Sequence, residues 1–273
     1  MSSNLDSPTE TSKQPPPRRS QFPDVHTFTV NDLLDAFASG LQDFRGAPRF
    51  GLFFGCIYAI GGWVLILLLL RFDLPYLVYP LAAGFALIAP FIASGFYVVS
   101  QHLETDAPLT WTIVFGTVKT MFSRDLGWMA LVTGFSFFFW MDIAALLSFG
   151  FLGFQIFTFA DLIHMIFNTP RGVVFLLVGN LAGAAIAFGV FSYSVISIPM
   201  LFHRDIDFVT AMVTSVKFVL HNRITMAIYC LLIAVLIALS LLSGLIGLVI
   251  TLPILGHTTW HIYRRGVAEA DPG

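Results

Sequence analysis

Long apolar blocks separated by short polar stretches dominate this chain from residue 50 onward. An α-helix needs roughly 20 apolar residues to cross a bilayer, and most of the blocks have that length. They predict spans over 50–70, 76–99, 127–150 and 173–201, the second following a tight turn at 71–75. The last block, Ile224–Tyr263, is 40 residues long. As one helix it would run about 60 Å, twice the hydrocarbon thickness, so it must fold back. Ser243-Gly244 is the expected hairpin, giving spans over 225–242 and 245–263. The expected fold class is all-α: a polytopic membrane bundle of six transmembrane helices with amphipathic surface helices.

The polar stretches have patterns of their own. Val30, Leu33, Leu34, Phe37, Leu41 and Phe44 recur at helical spacing, with Asn31, Asp32, Asp35, Gln42 and Asp43 between them. Thr29 with Asp32 reads as a helix start, and Gly46 and Pro48 as its end. This helix is expected to lie on the membrane surface or to cap the bundle. Residues 100–126 and 202–224 look alike. Each begins with a His (His102, His203), carries acids (Glu104 and Asp106; Asp205 and Asp207), continues as an apolar helix with one Lys (Lys119, Lys217), and ends on an Arg (Arg124, Arg223). The likeness suggests either a duplicated unit or convergence on one way of lining a membrane surface. The loop 151–171 reads as another interfacial helix, with Asp161, His164 and Asn168 about one turn apart.

Charge orients the object. With the N-terminus in the cytoplasm, 12 of the 14 Lys and Arg residues fall on that side, and only Arg71 and Arg171 lie outside. Basic residues concentrate on the cytoplasmic side of membrane proteins. A five-span arrangement would put Arg264 and Arg265 outside, so the charge favours six spans with both termini cytoplasmic. The division is then a tail over 1–26, one membrane domain over 27–266, and a short tail over 267–273.

Composition agrees: 57% of residues are hydrophobic and 11% charged, too few charges to cover a soluble domain. A net charge of −2 argues against nucleic acid as a partner. Cys56 and Cys230 fall inside apolar spans and read as packing residues. The first thirty residues lack the apolar core of a cleavable signal peptide.

Three blocks carry a resemblance: Phe28–Gly40 leading through Asp43-Phe44-Arg45 to Pro48–Gly55, then Ser197–Met212, then Pro253–Arg265. Over residues 25–267 the chain resembles the bacterial integral-membrane family called domain of unknown function 2189. The resemblance implies a bacterial inner-membrane protein and no established activity. Some members are labelled as cytochrome c oxidase subunits. A haem–copper core needs several intramembrane His ligands, and only His257 and His261 stand in or near a span.

Few residues invite chemistry. His257 and His261, four apart, share a helix face and have a spacing that can ligate a metal or a haem. His102 and His203 are expected at a similar depth. Against this stands the ordinary interfacial belt of His, Trp260 and Tyr263. Asp142 is an acid well inside a span, with Asn180 at matching depth in the next. They would line a polar path or simply bond to each other. Arg204, Asp205 and Asp207 form an elbow that either caps the helices around it or chelates a hard cation. Gly51 and Gly55, and Gly179 and Gly183, are small pairs that let helices approach closely. The leading expectation is a non-enzymatic accessory or structural component of a membrane complex, possibly a respiratory one. It would need no cofactor, with the bilayer and a membrane-protein partner or a homo-oligomer around it. The alternatives are a small transporter or channel using Asp142 and Asn180, and a haem- or metal-binding protein using His257 and His261.

Overall fold

The computed structural model describes residues 23–70, 92–122, 126–153 and 159–267. Most of the second expected span, the tail before residue 23, Arg124 and the last six residues lie outside the described residues.

Helices make up the described chain. α1 (Val30–Gly46) and α2 (Pro48–Leu70) come first. A third helix, α3, runs over 92–104. Then follow α4 (Trp111–Phe122), α5 (Leu126–Leu152), α6 (Phe159–Asn168), α7 (Pro170–Ser194), α8 (Ser197–His203), α9 (Phe208–His221), α10 (Arg223–Leu242) and α11 (Leu248–Gly266). Among the described residues, four segments are long and apolar enough to cross a membrane: Pro48–Leu68, Gly127–Leu152, Pro170–His203 and Arg223–Leu242. The protein is a helical membrane bundle.

Local chemistry sets the boundaries. Thr29 accepts a bond from the Asp32 amide, and the Asp32 carboxylate accepts from the Thr29 amide at 2.8 Å, which closes a capping box on α1. Pro48 at the start of α2 has no N–H to lose. Thr169 caps α7 ahead of Pro170, and Asp207 caps α9 by accepting from the Thr210 amide at 2.8 Å. Between α10 and α11 the chain reverses over 243–247, where Gly244 has φ 69°. That left-handed conformation is open to a residue without a side chain.

α11 differs from the expected sixth span in what surrounds it. It is helical over 19 residues, yet His, Thr and Arg in its second half make it less apolar than the four segments above. Protein encloses that half: Trp260, Ile262 and Tyr263 are fully buried. α1 runs beside it. A Cβ on Gly40 would stand 2.6 Å from the Thr258 amide nitrogen. α2 continues along its first half, where a Cβ on Gly55 would stand 2.6 Å from the Val249 carbonyl. Pro253 has no N–H, so that carbonyl lacks its helical donor, and Gly55 presents bare backbone to it.

The two ends of the described chain meet. Val25 and Val267 form an antiparallel bridge, and the His26 amide donates to the Gly266 carbonyl at 2.9 Å. Asn222 locks the incoming strand by accepting from the Phe28 amide at 2.7 Å and donating to the His26 carbonyl at 2.9 Å. Residues 25–28 and 266–267 therefore share one pole of the described bundle. The buried core lies toward this pole, around Phe50, Phe96, Met200, Phe218, Tyr229 and Trp260. Toward the other pole the helices bare large apolar side chains, among them Phe135 (72% exposed), Leu181 (74%) and Leu242 (84%).

Candidate functional site

The run Gly256-His-Thr-Thr-Trp-His-Ile-Tyr-Arg-Arg265 holds the densest set of functional groups in the chain. Successive helical residues turn by about 100°, so ten of them face every side of α11. Each side meets a different neighbour. Toward α3, His257 Nδ1 lies 2.8 Å from Ser100 Oγ, and Glu104 takes Trp260 Nε1–H on one oxygen and Arg264 on the other, each at 3.1 Å. Toward α1, His261 Nε2–H donates to Asp43 at 2.8 Å, and Arg265 donates to Ser39 at 3.1 Å and stands 3.7 Å from Asp35. Toward α10, Tyr229 and Thr259 hydroxyls are 2.7 Å apart. Toward α8, the Tyr263 hydroxyl is 2.8 Å from His203 Nδ1, and the Arg204 guanidinium lies over the Tyr263 ring at 5.6 Å.

This arrangement separates the four histidines. His257 faces α3, His261 faces α1, His203 faces Tyr263, and His102 donates from Nδ1 to the Val98 carbonyl of its own helix at 2.8 Å. Among the described residues no three His, Cys, Asp or Glu side chains gather as a metal ion requires. A common helix face brought two of them to one side of α11, but different neighbours claimed each ring. His257 is the exception in one respect: it is fully buried, edge-on to Phe96, and its Nε2 has no hydrogen-bond partner.

The elbow at 204–207 is likewise structural on one side. Asp207 spends its carboxylate on the α9 cap, and hydrogen bonds from the Thr210 hydroxyl, then its amide, hold that carboxyl below the usual carboxylate range. Asp32 is held low in the same way, first by the Thr29 hydroxyl. An Asp205–Asp207 chelate would have to break the cap. Asp205 itself is exposed.

Asp142 and Asn180 do not meet. α5 and α7 run antiparallel, with Ser136 Oγ 3.0 Å from the Tyr193 hydroxyl and Arg171 donating to the Gly150 carbonyl at 3.0 Å. That register sets Asp142 level with Asn180, as counting along the helices predicts. The direction differs. Trp140, Ala144 and Leu147 face α7, and Asp142 points to the opposite side of α5, exposed. Asn180 donates to the Leu176 carbonyl of its own helix at 2.7 Å. It lines one of two clefts, of about 620 and 520 Å³, that lie between α5 and α7 and share Trp140, Gly183 and Ala187. Their walls are mainly apolar, with Thr133, Ser136 and Ser194 in the first and Ser148 and Asn180 in the second. The two glycine pairs also part company: Gly51 and Gly55 press against α11, while Gly179 borders open space.

Sequence reasoning named Glu104 and Asp43 without giving them partners, and passed over Ser100 and Asn222; all four hold the site together. The signal was one of balance: a helix end with two His and two Arg needs acids at its own level, and Asp35, Asp43 and Glu104 are the acids available there.

The family model described as a predicted integral membrane protein, domain of unknown function 2189, matches residues 78–203. No curated protein and no solved structure matches the chain. The domain-2189 segment is shorter than the resemblance over 25–267. It holds α4 to α8 and the described part of α3, so Ser100, Glu104, His203, Asp142, Asn180 and both clefts fall within it. α1 and α11, which close the site, lie outside the match.

Proposed function

We propose that this chain is a non-enzymatic accessory or structural component of the bacterial inner membrane, with both termini in the cytoplasm, and that it acts within a larger membrane complex, such as a respiratory one. The observation that carries the reading is the occupation of α11: the residues with most chemistry to offer bind other helices of the same chain. The clefts are elsewhere, between α5 and α7, and their apolar walls suit a lipid chain or another helix better than a polar substrate. A transporter or channel would want Asp142 and Asn180 along one path, and they sit on separate faces.

The test is purification from native membranes in a gentle detergent, tagged on either partner. A defined complex recovered at fixed stoichiometry from both tags supports the reading. A monodisperse protein without companions refutes it. A second reading, as a haem or metal ligand, is favoured only by the open Nε2 of buried His257. It requires a Soret band or bound metal in the same sample that His257→Ala abolishes and His261→Ala does not.

A further inference from the structure

The turn that joins α10 to α11 is apolar and open at once. Leu242 is 84% exposed, Ile246 68% and Leu239 57%. No Asp, Glu, Lys or Arg occurs between Arg223 and Arg264. The turn between α6 and α7, by contrast, carries Asn168, Thr169 and Arg171.

The amides of the α10–α11 turn are bonded within it. Those of Ser243, Gly244 and Leu245 donate to the Leu239, Leu241 and Ser240 carbonyls at 3.0–3.1 Å, and that of Gly247 donates to Ser243 Oγ at 2.8 Å. Ser240 Oγ lies 2.8 Å from the Leu236 carbonyl and 2.9 Å from Thr251 Oγ1. Leu245 takes a left-handed φ of 70°, a conformation that suits Gly or Asn better than a branched side chain. In exchange it sets an apolar side chain against α2. A turn bathed in water needs no such closure, because water bonds its polar groups. In hydrocarbon those groups must be satisfied from within, and the internal bonds remove much of that cost.

Depth gives the same answer. Cβ atoms on Gly51 and Gly55 would press on Pro253 and Val249, so α2 and α11 run past each other with Pro48 near the level of Gly256. A Cβ on Gly62 would stand 2.6 Å from Leu245 Cδ1, which sets the turn level with Gly62. From the start of α2 the turn is therefore about 16–20 Å away, and Leu70 about 33 Å. α7 gives a second measure. The Phe191 and Tyr229 rings meet at 6.0 Å. From there Arg171 lies about 30 Å along α7 and Leu242 about 20 Å along α10. By either measure the turn stops about 10 Å short of the far ends of its neighbours, while the hydrocarbon core is about 30 Å thick. α10 has the length to cross, but its first turns lie in the core at the pole where Val25 meets Val267, with Met226 and Tyr229 fully buried.

We propose that α10 and α11 form a re-entrant hairpin whose tip, Leu239–Ile250, ends among the acyl chains of the far leaflet and is covered by lipid. The hairpin enters and leaves at the pole where Val25 meets Val267, so it keeps α9 and the end of α11 on one side without crossing. This goes beyond the accessory role and is tested apart from it, because the readout is depth in the membrane whatever else is bound.

Full-length chain in sealed native vesicles, with Cys56→Ser and Cys230→Ser as background, carries one new cysteine at a time, and a membrane-impermeant maleimide is offered from each side. Asn168→Cys should be labelled from one side and Asp205→Cys from the other. Leu242→Cys and Ile246→Cys should be labelled from neither until detergent is added. In reconstituted vesicles, bimane attached to Leu242→Cys should be quenched by phospholipids brominated on their acyl chains and not by aqueous iodide. Labelling of both tip cysteines in intact vesicles, or quenching by iodide, shows that the tip reaches water and overturns the proposal. Quenching by neither agent shows that protein covers the tip and overturns lipid as its neighbour.

Discussion

At the pole where Val25 meets Val267, α11 is enclosed by α1, α3, α8 and α10, and its polar side chains all have named neighbours or tight packing. Toward the other pole, α5 packs chiefly on α7, and α7 on α5, α6 and α9; α5 and α7 leave two clefts between them and show Phe, Leu and Val to the outside. The difference reflects the solvent each half meets. Near water, polar groups must be matched inside the fold, so helices lock through hydrogen bonds and close glycine contacts. Within hydrocarbon, lipid tails cover Phe and Leu as well as another helix does, and little drives those helices to seal against each other.

If the terminal half is the cohesive one, damage there should dominate thermal unfolding measured in one detergent. Trp260→Ala empties the centre of that half and also strands a Glu104 oxygen; we expect a loss of about 4 kcal/mol. Next comes Gly55→Leu, whose side chain would be driven into the α11 backbone at Val249, at about 3 kcal/mol. Gly179→Ala, which borders open space, is its matched control and should leave the melting temperature unchanged. Glu104→Ala leaves the Trp260 N–H and the Arg264 guanidinium without their acceptor, and about 2 kcal/mol should go. In the open half, Leu181→Ala should change stability by no more than about 0.5 kcal/mol. A loss there as large as at Trp260 would erase the contrast. The smallest effect is an acid one. Asp32 and Asp207 are held below the ordinary carboxylate range in the fold, so their stabilisation is complete above that range and disappears as pH falls through the lowered values. The melting temperature should therefore be flat from neutral down to mild acid and fall below it, and Asp207→Asn should blunt that fall.

The same contrast explains what could be read from the sequence. The spans are legible because the bilayer fixes their length, and α1 because its apolar residues repeat with the helical period. The α1 and α9 starts are legible because Thr29 with Asp32, and Asp207 with Thr210, act within one turn. Position along a helix follows from counting, which set Asp142 and Asn180 level. Direction around a helix depends on which neighbour stands there, and counting does not supply the neighbour. Hence Asp142 and Asn180 part, and His257 and His261, though on one face by spacing, go to α3 and α1. Residues answering across a long loop, such as Asp43 for His261 or Asn222 for Phe28, leave no local trace at all.

The bridge between Val25 and Val267 has a consequence for how the protein is made. α1 leaves the ribosome well before α11, the helix it rests on, since most of the bundle lies between them in the chain. At about 5–20 residues per second, α1 waits on the order of ten seconds or more before its partner exists. Throughout that interval its apolar face, with Leu33 and Ala36 buried in the finished protein, must be sheltered by the membrane surface or by a chaperone. The face of α1 that docks on α11 is therefore the face that needs shelter until α11 has been made.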